Sequence, residues 1–293
     1  MIKKLALSVL CLLSFRVAHG QDMIEKICNS VCSCIDTIEN MDSLQAKLDR
    51  CVPKALDIYF TTESDDNDDY FSDSDTIKNT IDKVMNNLTS YCPKVKNFIL
   101  ANKQGEFYKM SDSDEANKYY STASKAFEAK DYKTAEKNYL KAIKASPGWV
   151  LPYDDLGLTY RQIGKNKKAI KYYNKSLAIY PEGSYALQNQ AVAYTYLNDY
   201  DKALDNYSVM INLYPDNPEG YFGKGRIFFL ENDYEKALEY LFHCHKIYVA
   251  MKSDYAKDTE SIVAAIYKKM KEQNKLDVFN SIAEKHGIKI NQE

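Results

Sequence analysis

From Glu115 onward the chain repeats itself every 34 residues. Pro147, Pro181 and Pro215 stand one period apart, as do Ala135, Ala169, Ala203 and Ala237. The small residues Ala123, Gly157, Ala191 and Gly225 keep the same interval, and so do the bulky Tyr139, Tyr173, Tyr207 and Leu241. Four columns in one register leave few folds open. Each period is one supersecondary unit whose apolar face only the adjoining unit can bury.

Each column has a physical reason. Two helices that pack closely need a small side chain where their backbones approach, which the Ala and Gly column supplies. Tyr119, Tyr153, Leu187 and Tyr221 precede that column by one turn, and Ala126, Tyr160, Tyr194 and Phe228 follow it by three residues. They form one apolar stripe on the first helix of every unit. The second helix opens near Tyr132, Lys167, Tyr200 or Tyr234, after turns at Asp131-Tyr132, Asn198-Asp199 and Asn232-Asp233. The recurring Pro ends it, having no N–H to continue the hydrogen-bond ladder. Asn217-Pro218 reads as a cap followed by Pro at the first helical residue.

Tyr153, Leu156-Gly157, Tyr160, Ala169, Tyr173 and Pro181 resemble the tetratricopeptide repeat consensus almost whole. The neighbouring units depart from it with Thr122, Gln190 and Lys224 where Leu is usual. The resemblance covers Ala116 to about Val249 as four units, within a repeat domain of 115–251. A further helix pair, Asp254–Met270 and Lys275–His286, starts in register at Tyr255 and then drifts, as a solvating cap over 252–287 would. The resemblance implies an all-α, right-handed superhelical solenoid whose first helices line a concave groove that grips a protein or peptide.

With Tyr119, Thr122, Ala123 and Ala126 as the packed arc, Asn117, Tyr120, Ser124 and Phe127 point elsewhere, toward the groove. Carried along the units, that direction selects Asp154, Leu158 and Arg161, then Tyr185, Gln188, Val192 and Thr195, then Phe222, Arg226 and Phe229. About half of these aromatics are expected to pack on a neighbouring unit instead. One subset of the family clamps chaperone C-terminal carboxylates with Lys, Asn and Arg. The matching positions here hold Tyr120, Ser124, Asp155, Tyr185 and Asn189, and only the Asn fits.

Ahead of the repeats the composition changes. Residues 21–114 carry a net charge of about −8, while the 293-residue chain as a whole is at −2. No global basic field invites nucleic acid. A basic tip at Met1 to Lys4, an apolar run from Leu5 to Phe15 and small residues at Ala18 and Gly20 spell a secretory leader over 1–20. No later segment is apolar enough for a membrane helix. A secreted or periplasmic location follows as an expectation.

Export makes the cluster Cys28, Cys32, Cys34, Cys51 and Cys92 read as disulfides in a small helical domain over 21–104. Two bridges from Cys32 and Cys34 to Cys51 and Cys92 are expected, with Cys28 left free or paired elsewhere. A zinc site at Cys28 and Cys32 is the alternative, but no His lies near them in sequence. Ile24, Ile27, Val31, Cys34, Ile35 and Ile38 predict a first helix; Leu44 to Ile58 a second; Ile77 to Ile99 a third, broken at Pro93. The acidic loop Thr61 to Tyr70 lacks the Gly and closing Glu of a calcium-binding EF-hand. Residues 105–114 read as a linker.

Nothing in the chain spells catalysis or a cofactor. His243 and His245 diverge on a helix, Asp154 and Asp155 point apart, and nucleophile elbow, P-loop and dinucleotide fingerprint are all missing. The expected function is an exported protein-interaction scaffold. A carbohydrate-binding module using the groove aromatics, and a redox role for the Cys-rich domain, are the alternatives.

Overall fold

The computed structural model describes residues 22–62 and 74–288. The leader at 1–20 and the acidic loop beyond Thr62 lie outside the described residues. Among those described there are only helices: α1 over residues 22–34, α2 Met41–Thr62, α3 Ser74–Tyr91, α4 Pro93–Phe107, α5 Asp114–Glu128, α6 Tyr132–Ala145, α7 Leu151–Gln162, α8 Asn166–Ile179, α9 Ser184–Tyr196, α10 Tyr200–Leu213, α11 Pro218–Leu230, α12 Tyr234–Ala250, α13 Ala256–Glu272 and α14 Leu276–Lys285. The chain divides into two compact units between Lys103 and Gln104.

In the first unit, Ile27, Val31, Ile35, Leu44, Leu48, Val52, Val84, Leu88 and Val95 form the core. Disulfides join Cys32 to Cys92 and Cys34 to Cys51, with Cα–Cα distances of 5.3 and 5.7 Å. By loop-closure entropy they stabilise the unit by about 4 and about 3 kcal/mol respectively. Cys28 is free and buried, and burial pushes its thiol up to about 11, so it offers no thiolate at neutral pH. The first helix stops at residue 34, short of the predicted Ile38. Lys94 Nζ takes the Ile35 carbonyl at 2.6 Å, Lys47 takes that of Thr37, and Asn40 Oδ1 accepts from Ser43 N to start α2. The chain after Cys34 is thus held outside a helix by side-chain donors.

The second unit is the repeat array. Pairs α5/α6, α7/α8, α9/α10 and α11/α12 each pack as a hairpin, and each second helix packs on the first helix of the next pair. The first helices also touch one another, α7 with α9 and α9 with α11, forming the inner layer. Ala123, Ala135, Tyr139, Leu156, Tyr160, Ala169 and Tyr173 are buried in one stretch of core, and Leu187, Ala191, Ala203 and Tyr207 in the next. The second helices α6, α8 and α10 each stop two residues before their Pro, at Ala145, Ile179 and Leu213. The capping pair α13/α14 buries Ile266, Met270, Phe279 and Ala283 against α12.

The departures from consensus are accounted for locally. Gln190, where Leu is usual, is buried and bridges two second helices: its Nε2 donates to Asn174 Oδ1 at 2.7 Å and its Oε1 accepts from Asn206 Nδ2 at 2.8 Å. Lys224 Nζ donates to Ser208 Oγ at 3.0 Å. Thr122, expected to pack, is exposed and donates to the Lys118 carbonyl.

The turn inside each pair is the same motif four times over. Asp131, Lys165, Asp199 and Asp233 donate their N–H to the carbonyls of Ala126, Tyr160, Tyr194 and Phe228, five residues earlier. The residue before each is left-handed: Lys130 at φ 59°, Gly164 at 71°, Asn198 at 56° and Asn232 at 62°. Gly and Asn adopt that conformation readily, whereas Lys is strained there. Lys130→Gly should therefore stabilise the array by about 1 kcal/mol and Gly164→Ala destabilise it by a similar amount. Urea midpoints moving the other way would contradict this account of the turn.

Candidate functional site

Helical geometry assigns the groove residues to the first helices, and the structure separates them into three groups. Phe127 and Phe229, at the ends of α5 and α11, each pack on the opening residue of the following helix. Phe127 meets Tyr132 at 5.7 Å between ring centroids, and Phe229 meets Tyr234 at 6.2 Å. They close their own hairpins and do not join a common surface.

The second group is sealed by the chain itself. Tyr120 donates to Asp155 Oδ2 at 2.7 Å, and its ring lies against Tyr139 and Trp149. Asp154 is 1% exposed and accepts from Tyr108 at 2.9 Å. Phe107 stacks on Tyr180 at 4.6 Å, Trp149 Nε1 donates to the Lys109 carbonyl at 2.9 Å, and Ser111 bonds Ser146. The stretch expected to be a linker is therefore fixed on the array, and its Tyr108 lies on the groove position that Asp154 was expected to offer. The correction has a simple cause. The helix face follows from spacing, but what lies across that face does not.

Burial dominates the electrostatics of this sealed part. It pushes the Asp154 carboxyl up to about 7, against the hydroxyl hydrogen bonds that hold it down. Asp155 shifts the same way, opposed by Tyr120 and Tyr139. The phenols of Tyr108, Tyr120, Tyr139 and Tyr185 are driven well above their ordinary value, first by burial and then by the two carboxylates. Asp154 and Asp155 do point apart, one to Tyr108 and the other to Tyr120, so they make no catalytic pair.

The third group remains accessible. Val192, Thr195, Tyr196, Tyr207, Gly223, Arg226 and Ile227 line a cavity of about 60 Å³ between α9 and α11. Val192, Thr195 and Arg226 were expected in the groove; Tyr207 and Gly223 were assigned to packing columns or to no site. Gly223 opens the cavity, because a Cβ there would lie 2.2 Å from Tyr207 Cζ. Arg226 is exposed, with its guanidinium 5.7 Å from the Phe222 ring centroid. Burial pushes Tyr207 up to about 12, while the charges of Arg226 and Arg161 pull it back, so both guanidinium groups bear on this site. Arg161 Nε is buried without an acceptor. Gln188 donates to Glu219 Oε2 at 2.6 Å, Tyr248 donates to Glu219 Oε1 at 2.6 Å, and Phe222 sits edge-on to Tyr248. Tyr185 is half-buried beside Asp155 and Arg161.

Among the described residues no group of three or more His, Cys, Asp and Glu could hold a metal ion, and no helix is long and apolar enough to cross a membrane. Cys244 is buried in the core and its thiol pushed up to about 12. His243 lies against Tyr221 and His245 against Thr259, in different directions.

Two tetratricopeptide repeat family models match the chain, over residues 150–182 and 189–242. Solved structures similar to it include the MamA protein, at 20% identity and a TM-score of 0.49 over 59% of this chain and 93% of that one. A tetratricopeptide repeat protein from Parabacteroides merdae ATCC 43184 has 21% identity and a TM-score of 0.48, covering 59% and 67%. The first tetratricopeptide repeat of Spaghetti (RPAP3), bound to an HSP90 peptide, has 21% identity and a TM-score of 0.40, covering 41% and 96%. No curated protein matches the chain in sequence. Both family models fall on helix pairs that share one turn motif and one set of packing columns, and residues 150–182 and 189–242 of this chain match the tetratricopeptide repeat.

Proposed function

We propose that this protein is an exported interaction scaffold that holds a peptide segment of another protein on the inner face of its third and fourth repeats. The observation that carries this reading is the cavity between α9 and α11 with Arg226 exposed at it and Arg161 bearing on its Tyr207 wall. A cavity of that size admits one small apolar side chain, and a guanidinium group beside it pairs with a carboxylate in a forked geometry. The partner segment thus carries a small aliphatic residue next to an acidic one or to a chain terminus. Export is supported by the leader-like first 20 residues and by two disulfides, which persist in oxidising compartments. The carbohydrate alternative would need open ring faces for stacking: Arg226 lies over that of Phe222, which leaves Tyr196 as the exposed ring at the cavity.

Arg226→Glu should leave the fold intact, since the side chain is exposed, and should weaken capture of the cognate segment by about tenfold or more. A pull-down with the mature protein, comparing wild type and variant by quantitative mass spectrometry, measures this. Equal capture of every partner by both would refute the assignment.

A further inference from the structure

The outer columns of the repeats reverse sign along the array. One column runs Lys133, Lys167, Asp201, Glu235, and the next, four residues on, runs Lys137, Lys171, Asp205, Glu239. A third begins Lys141, Lys175 and then turns neutral at Val209. Four-residue steps on a helix keep side chains on one stripe about 6 Å apart. The second helices of the first two repeats, α6 and α8, therefore each present a basic stripe of three lysines.

All six lysines are exposed, and none has a carboxylate within ion-pair distance among the described residues. α8 carries no acidic residue at all. α6 carries one, Glu136, which accepts from the Tyr160 hydroxyl at 2.7 Å. At the other end of the array the same columns are answered. Lys275 reaches Glu235 at 3.2 Å, Lys285 reaches Glu239 at 2.7 Å, and His286 reaches Glu239 at 2.6 Å. These cations come from α14 and the residues flanking it, which pack on α12 and lay charges along its columns.

We propose that the outer face of α6 and α8 docks an acidic helix of a partner protein, with carboxylates at four-residue steps, in the manner in which α14 lies on α12 with the signs exchanged. This surface is separate from the cavity on the inner face and does not depend on what that cavity holds. The surroundings favour a protein over other polyanions. Tyr172 stacks on Tyr160 with Lys175 and Lys168 over the pair, so neither of these two rings offers an open face for bases or sugars. Leu140 is the one large hydrophobic exposed on the two helices, too little to anchor in a bilayer.

The probe is a synthetic helical peptide bearing Glu at i, i+4 and i+8 on one face. Its control is a peptide of the same composition with the Glu residues spread around the helix. The full mature protein should bind the first more tightly than the second by about tenfold at low salt, with the preference fading as salt screens it. The combined variant Lys133→Glu, Lys137→Glu, Lys167→Glu and Lys171→Glu avoids the lysines that cover rings and should lose this binding. Lys268→Glu with Lys271→Glu, on α13, should retain it. An unchanged circular dichroism melt shows that the first variant folds; if it does not, the same four lysines changed to Gln replace it. Equal affinity for the two peptides, no binding to either, or binding that survives the four-lysine variant would overturn the proposal. So would tighter binding to phosphatidylglycerol vesicles or duplex DNA at matched charge, and so would charge-dependent dimerisation of the protein that displaces the peptide.

Discussion

Asp154→Asn should make the repeat array more stable at pH 8 by about 2 to 4 kcal/mol and leave it nearly unchanged at pH 4. Asp154 is 1% exposed, and burial raises its carboxyl from an ordinary 3.8 to about 7. The folded state therefore binds a proton more tightly than the unfolded chain does. Stability from this group is complete below about 4, falls as pH rises through 7, and is then flat. A carboxyl that ionises about three pH units late carries a penalty of about 4 kcal/mol on its charged form. Asn removes that penalty and keeps an oxygen for the Tyr108 hydroxyl now 2.9 Å away. Asp155, raised by burial in the same direction, makes the wild type slope the same way. Denaturant titrations of both proteins across this range test it. A wild type that gains stability between pH 5 and 8, or a variant weaker than wild type at pH 8, would show that the buried carboxylate is compensated in some other way.

Gly157→Ala should cost the array about 3 kcal/mol. A Cβ at that position lies 2.5 Å from Cε1 of Tyr173, and the whole ring edge is within 2.8 Å. Tyr173 has no exposed surface, so the ring has nowhere to go. The equivalent positions hold Ala123 and Ala191, both fully buried, so the column alone would suggest that Ala is harmless here. Gly223→Ala provides the contrast: its Cβ also strikes a ring, that of Tyr207, but this ring borders the cavity and can swing into it. It should cost less stability and fill the site instead. Equal melting temperatures for wild type and Gly157→Ala would mean that the helices separate more easily than their packing implies.

The columns at 34-residue spacing were sufficient for the helix pairs, their turns and their order, because each column answers a local demand. A small residue sits where backbones touch, a Pro where a helix stops, and Asn or Gly where the chain must turn left-handed. Lys130 shows that the turn follows from the packing of the pair even where its residue is unfavourable. Cys32 and Cys34 could be paired with distant partners because residues two apart on a helix point in different directions. The groove was less legible. Helical angle alone selected Arg226, Val192 and Thr195, which line the cavity between α9 and α11, whereas Asp154, selected by the same rule, is buried under Tyr108 and Tyr120 is partly buried against Asp155.

Periodicity thus specified the helix pairs, their order and their packing columns, since these recur with the register. The occupied half of the inner face, the charge state of Asp154 and the cavity beside Tyr207 have no such signature. Each depends on which side chain from elsewhere, Tyr108 above all, comes to lie across a given helix, and burial of that kind is a property of the assembled array. Spacing along one helix carries no record of it.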